Sequence, residues 1–277
     1  MQFSHKLMYD NFTKSDCDVV VRLFKDKNII LTQSKNVKKF ESTWSKWLGV
    51  KYSVFVNSGS SANLLTISIL KILYKKGEII LPSLTWVSDI NSVIQNGFKP
   101  VFVDINPNNL CMDENEIIKK TNKNTLAVFM THVQGFNGLS SKLINFLKKK
   151  NVLLIEDVCE SHGAIFNGKR LGTYGLMSNF SFYYAHHMRT IEGGMVCTDN
   201  EDIYQMLRMF RSHGMVREAT DEKLRSKYAL TYPSLNPDFI FAMPFIVVAL
   251  VSSVVWGPSL GLVIILLVIF TWAPFAR

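Results

Sequence analysis

From about residue 37 the apolar positions recur alternately with the period of a helix and with that of a strand. In NVKKFESTWSKWLG, Val37, Phe40, Trp44 and Trp47/Leu48 fall on one helical face, and Gly49 stops the helix. YSVFV is a short apolar strand and SANLLTISILKIL a second helix. There follow a strand at EIIL, a helix through SDINSVIQNG, strands at PVFVDI and LAVFM, a helix at SSKLINFLKKK and a strand at VLLIED. Strands separated by helices of this length predict an α/β fold with a mainly parallel sheet and helices on both faces. Asn167-Gly168, between β-prone residues in AIFNGKRLG, marks a hairpin. No repeat or low-complexity segment breaks the pattern.

The alternation ends at about residue 239. FIFAMPFIVVALVSSVVWGPSLGLVIILLVIFTWAPFAR carries no charge before Arg277 and neither Lys nor Asn, both frequent upstream. Such a run exceeds the ~20 apolar residues that cross a bilayer. Gly257-Pro258 divides it into halves too short to span alone, so the pattern predicts one kinked hydrophobic helix, crossing a membrane through 243–276. Arg217, Lys223, Arg225 and Lys227 just upstream would keep the preceding part cytoplasmic, anchored to the inner membrane. The expected division is a large domain at 1–238, with an N-terminal arm at 1–36, and a tail at 239–277.

A chain of 277 residues with 48% hydrophobic content is long enough for one large α/β domain or two small ones. The net charge of +9 comes from thinly spread lysines without arginines interleaved with aromatics, which argues against nucleic acid. It leaves a solvated basic surface, or steering toward an anionic small molecule. The cysteines at 17, 111, 159 and 197 have no C-x-x-C spacing, so neither a zinc site nor a disulfide framework is predicted, in keeping with a reducing, cytoplasmic compartment. MQFSHKLMYDNF lacks the charged start and apolar run of a signal peptide.

Three segments carry candidate chemistry. VFVNSGSSANLL is strand, small-residue loop, helix; the backbone N–H groups of Gly59, Ser60 and Ser61 suit a phosphate at the helix N-terminus, or the serines simply cap the helix. Glu156 and Asp157 end a buried strand, where open α/β sheets bind ligands; an acid there can also cap the next helix. Trp86, in the loop of LPSLTWVSDI, can stack on a flat ring or fill core.

Taken in order with SFYYAHH and EGGMVCTDN, these segments resemble the DegT-type sugar aminotransferases, pyridoxal phosphate (PLP) enzymes of fold type I that act on nucleotide-linked keto sugars. The resemblance runs from LTQSKNVKKFE to NPDFIFA. It implies that Ser60, Ser61 and Ser181 hold the cofactor phosphate, that Trp86 stacks on the ring, and that Asp157 pairs with the ring nitrogen. Glu160, commonly Gln in the family, would lie near the ring's other polar edge.

The family lysine that bonds to the cofactor is replaced here by His186 in SFYYAHHMRTIEGGMV. An imidazole cannot form that bond but can still move protons. AHH therefore resembles the 3-dehydratase branch, which implies a PLP/pyridoxamine phosphate (PMP) dependent 3-dehydratase of a nucleotide-linked 4-keto-6-deoxy sugar, aminated by L-glutamate and working as a homodimer. A sister branch on CDP sugars uses an iron–sulfur cluster; the absence of cysteine between Arg211 and Asp238 favours GDP. A metal pair at His186 and His187 is not expected, since neighbours in an extended segment point to opposite faces and no other ligand stands at suitable spacing. His213, at a family His-Gly position, is read as a substrate contact or a helix C-terminal dipole partner.

After NPDFIFA the family continues with a Gly-Tyr/Phe-Asn segment and a small domain, where this chain has its apolar tail. The competing expectation is a truncated or frame-shifted, noncatalytic, membrane-attached remnant.

Overall fold

The computed structural model describes residues 13–30, 32–231, 233, 236, 238, 240 and 241. Two helices lead in, α1 (Lys14–Phe24) and α2 (Lys35–Leu48). α1 opens on a capping box between Thr13 and Asp16 and buries none of its residues. α2 buries Trp44 and Leu48 and ends at Gly49, whose left-handed φ of 96° suits a residue without Cβ.

The chain then alternates: β1 (Tyr52–Val56), α3 (Gly59–Tyr74), β2 (Glu78–Pro82), α4 (Val87–Gln95), β3 (Lys99–Val103), α5 (Glu114–Lys120), β4 (Thr125–Thr131), α6 (Ser141–Lys150) and β5 (Leu153–Asp157). A short hairpin, β6 (Ile165–Phe166) and β7 (Lys169–Arg170), turns through Asn167 and Gly168, both at positive φ (43° and 76°), as the Asn-Gly pair predicts. β8 (Met177–Ser181), β9 (Gly194–Thr198), α7 (Glu201–Arg211) and α8 (Glu222–Thr231) complete the described elements.

Seven strands form one sheet in the order β1-β9-β8-β5-β4-β2-β3, in which only β9 runs against its neighbours. Strand alternation divides the core into two layers. Ile80, Val128, Met130, Leu154, Phe180 and Met195 face Trp44 and Leu48 of α2, Ile117 of α5 and Leu143 and Leu147 of α6. Ile79, Leu81, Phe129, Ile155, Met177 and Val196 face Leu65 and Ile69 of α3, Val93 of α4 and Leu207 of α7. Each fully buried aromatic or aliphatic side chain contributes ~1.5–3 kcal/mol, so a sheet covered on both faces is what its apolar strands require.

The hydrophobic helix expected in the tail, with its membrane crossing at 243–276, lies outside the described residues. Among the described residues no helix is long and apolar enough to cross a membrane. The start of the apolar run docks on the domain: Ile240 packs with Met209, Val216 and Ala219, its carbonyl accepts the Val216 N–H at 2.9 Å, and Phe241 bridges Met215.

Candidate active site

The parallel strands end on one edge, and chain order reverses beside β2: β3 adds on one side and the chain returns to β4 on the other. The crevice outside such a reversal is where open α/β sheets bind ligands. Thr85, just beyond β2, and Thr131, the last residue of β4, meet there with their hydroxyl oxygens 2.7 Å apart.

One strand further on, alternation separates the two acids read together in VLLIED. Glu156 points to the α2/α6 face and is fully buried. Its carboxylate accepts the backbone N–H groups of Gly172, Tyr174 and Gly175 at 2.8, 2.8 and 2.7 Å. His132 Nδ1 accepts the Gly138 N–H, so the proton of the neutral ring sits on Nε2 and is donated to Glu156 at 3.2 Å. Glu156 is thereby spent as an anchor for the loop before β8. Asp157 points to the α3 face, where its carboxylate accepts the Cys159 N–H at 2.9 Å and the Asn63 side-chain amide at 3.2 Å.

At the start of α3 the cap is Ser58, which takes the Ser61 N–H at 3.1 Å and donates to the Ser61 hydroxyl. The capping reading and the anion reading therefore divide: Ser61 is buried and engaged by the cap, while Gly59 and Ser60 supply helix N-terminal N–H groups that lack intrahelical acceptors. A Cβ on Gly59 would come within 2.7 Å of the Ser181 Cβ and 3.1 Å of the Cys159 Sγ. Glycine thus lets this helix terminus touch the ends of β5 and β8. Trp86, the N-cap residue of α4, is 67% exposed, which removes the core-filling reading. It shares with Ser58, Ser60, Asn91 and Glu192 a cavity of ≈ 380 Å³.

The histidine segment differs from expectation. Ser181 and Gly194 are register partners in antiparallel strands, so residues 182–193 form an excursion that must turn back, with Phe182 N–H on the Gly193 carbonyl at 2.8 Å. Its residues are not extended: the His186 N–H closes a turn on Tyr183 at 3.0 Å, and the rings of His186 and His187 both lie 6.1 Å from that of His162. Among the described residues no group of three or more His, Cys, Asp or Glu is placed to hold a metal ion.

His186 is half-buried, and burial lowers its pKa from the ordinary 6.5; Glu160 and Asp157 oppose that shift and His187 adds to it. Glu160 is held by the Gln134 N–H at 3.0 Å. Ser181 accepts the Tyr183 N–H at 3.2 Å. His213 stands apart, exposed and left-handed (φ 63°) just past the Ser212 cap of α7.

Sequence reasoning missed Asn63, Asp89, Asn179 and His162. Asn63 bridges Asp157 and Asp89, and its carbonyl accepts the Asn179 amide at 2.8 Å. Buried polar residues in the otherwise apolar run ANLLTISIL were the available signal.

The profile of the DegT/DnrJ/EryC1/StrS aminotransferase family matches residues 13–235. The chain belongs to that family. It is 35% identical over 222 residues to the GDP-4-keto-6-deoxy-D-mannose 3-dehydratase of Escherichia coli O55:H7, covering 75% of this chain and 57% of that protein. It is also 32% identical over 213 residues to a UDP-4-amino-4,6-dideoxy-N-acetyl-beta-L-altrosamine transaminase of Campylobacter jejuni, covering 76% and 55%. A solved GDP-4-keto-6-deoxymannose-3-dehydratase with a trapped PLP-glutamate geminal diamine superposes with a TM-score of 0.76 at 32% identity, covering 87% of this chain and 63% of that one. The chain thus spans little more than half the length of these relatives. The mostly parallel sheet is that of the PLP enzymes of fold type I.

Proposed function

We propose that this chain carries the cofactor-holding part of a PLP/PMP-dependent 3-dehydratase of a GDP-linked 4-keto-6-deoxy sugar, with L-glutamate as amino donor. The observation that carries the reading is a histidine, not a lysine, in the excursion between β8 and β9, half-buried and electrostatically coupled to Asp157 and Glu160.

The residues fit such a cofactor. A buried carboxylate ends β5, α3 presents its N-terminus beside Ser181, and an exposed indole walls the cavity next to Ser60. In this reading Gly59, Ser60, Ser61 and Ser181 bind the phosphate, with Ser61 acting through the cap. Trp86 covers one face of the ring. Asp157 keeps the ring nitrogen protonated, and Glu160 lies near its other polar edge. When bound, the group supplies an electron sink and an amine that condenses with ketones. A neutral His186 accepts a proton from carbon and returns it to the leaving hydroxyl as water. Without a lysine to displace the amine, one water would release the eliminated product with its nitrogen and a second would free that nitrogen as ammonia, giving a 3-deoxy ketone. Dehydration is favoured over transamination on this ground, and the sequence of SFYYAHHMRTIEGGMV, which has no lysine, supports it.

The test is spectroscopic. Protein loaded with PLP and given L-glutamate should convert from the aldehyde to the amine spectrum, and then release ammonia with a GDP-linked 4-keto-6-deoxy sugar. Loaded protein that shows no spectral change with glutamate refutes the reading and leaves the noncatalytic alternative. Transfer of the nitrogen to the sugar would make it a transaminase.

A further inference from the structure

Behind Asp157 lies a second acid that the proposed chemistry does not use. Asp89, in the first turn of α4, is fully buried at the crevice where chain order reverses. One of its carboxyl oxygens meets the Thr85 and Thr131 hydroxyls, the latter at 3.0 Å; the other meets the Asn63 amide nitrogen, which also reaches Asp157.

Hydrogen counting shows that this cluster is short of protons. The two amide hydrogens of Asn63 face three acceptors, Asp89, Asp157 and the Ser88 hydroxyl. The amide is not reversed, because its carbonyl is already bonded by Asn179, whose own carbonyl accepts from Thr66 at 2.7 Å. Thr85 and Thr131 bring one hydroxyl hydrogen each to a triangle of three mutually close oxygens. One further proton on Asp89 supplies a missing donor, and it also spares two carboxylates from ionising side by side in a buried site.

We propose that Asp89 is a neutral carboxylic acid, a positioning residue that leaves its pair with Asp157 a single negative charge to present to the cofactor's ring nitrogen. The clause about the cofactor rests on the function proposed above; the proton on Asp89 does not. Burial first, and then Asp157, push the Asp89 carboxyl well above the ordinary carboxylate range. The titratable groups that face it are Asp157 and the Cys159 thiol, itself pushed up by burial and by both acids.

Infrared spectroscopy of the cofactor-free chain decides the proton. At pH 7 the parent should show the carbonyl band of a protonated carboxylic acid; Asp89→Asn should lose it, and Asp157→Asn should make it titrate at lower pH. No such band at pH 7, or one that survives in Asp89→Asn, overturns the proposal. Stability supplies a second measure. A carboxyl whose pKa is raised on folding stabilises the fold at low pH and loses that contribution as pH rises toward its folded pKa. Asp89→Asn should therefore gain folding stability relative to the parent as pH rises from 4 to 7, by up to about tenfold in the folding constant per pH unit; an unchanged difference overturns it.

In PLP-loaded protein the pH at which the cofactor's absorbance titrates should move by about one unit or more in Asp89→Ala, and less in Asp89→Asn, which stays neutral and keeps a donor for the Thr85 and Thr131 hydroxyls. Identical titrations in parent and both variants overturn the ring-nitrogen clause. Failure to bind PLP overturns the proposed function and that clause together, while the infrared band still decides the proton.

Discussion

Acidification should unfold this domain partly through one histidine. His162 sits edge-on to Trp44 and near Phe180 and Phe182, with both ring nitrogens shielded from solvent. Burial first, then the neighbouring His186 and His187, lower its pKa from 6.5 to about 4, against a smaller opposing pull from the Ser181 backbone. The sign follows from linkage: the folded pKa is depressed, so the unfolded chain binds the proton first. The contribution is therefore present above pH 6.5 and lost as pH falls toward about 4. At ~1.4 kcal/mol per unit the whole window amounts to about 3 kcal/mol, of which about 2 kcal/mol falls between pH 7 and pH 5. His162→Leu removes the titrating ring at similar volume. Urea denaturation of the cofactor-free chain at pH 7 and pH 5 should show the parent losing about 2 kcal/mol more than the variant on acidification. Comparing the two chains cancels the other groups that titrate in this range, including Asp89, whose slope has the opposite sign. Equal losses in parent and variant would refute the assignment of a half-buried, neutral His162.

Two further outcomes follow. His186→Asn should bind PLP as the parent does, since the α3 N-terminus, Trp86 and Asp157 are untouched, yet lose ~10² to 10⁴ in the glutamate half-reaction; because burial lowers the His186 pKa, the acidic limb of the parent's rate profile should lie below pH 6.5. Arg211→Leu should destabilise the fold by ~3–5 kcal/mol in chemical denaturation, because it strands a buried Glu41 that otherwise pairs with Arg211 while accepting the Phe55 N–H.

What could be read from the sequence was whatever depends on a short window. The face of α2 and its stop at Gly49, the hairpin at Asn167-Gly168 and the apolar strands β1, β2, β4 and β5 are written in local periodicity. β8 is not, because MSNFS buries two serines and an asparagine. Alternation treats such residues as solvent-facing, yet Ser178 donates to the Gly172 carbonyl, Asn179 bonds Asn63 and Thr66, and Ser181 lies against Gly59. Those partners are up to 122 positions away in the chain, from Gly59 to Ser181, and no window contains them. The turn at His186 was illegible for the same reason: its geometry follows from β8 and β9 being antiparallel neighbours, and β9 itself is paired with β1 at the far end of the sequence.

The two acids at the end of β5 show how one strand can serve fold and site at once. Successive side chains leave a strand on opposite faces, so adjacent carboxylates of the same charge are kept apart by the backbone alone. Glu156 is then surrounded by three backbone N–H groups and an imidazole N–H, which fix the loop leading to β8. Asp157 accepts the Cys159 N–H and an amide hydrogen of Asn63 that Asp89 and Ser88 contest. The anchor sets the position of β8 and hence of Ser181, and Asp157 beside it lies on the α3 face. One strand end thus divides its two acids, Glu156 anchoring the loop before β8 and Asp157 standing against Asn63 of α3.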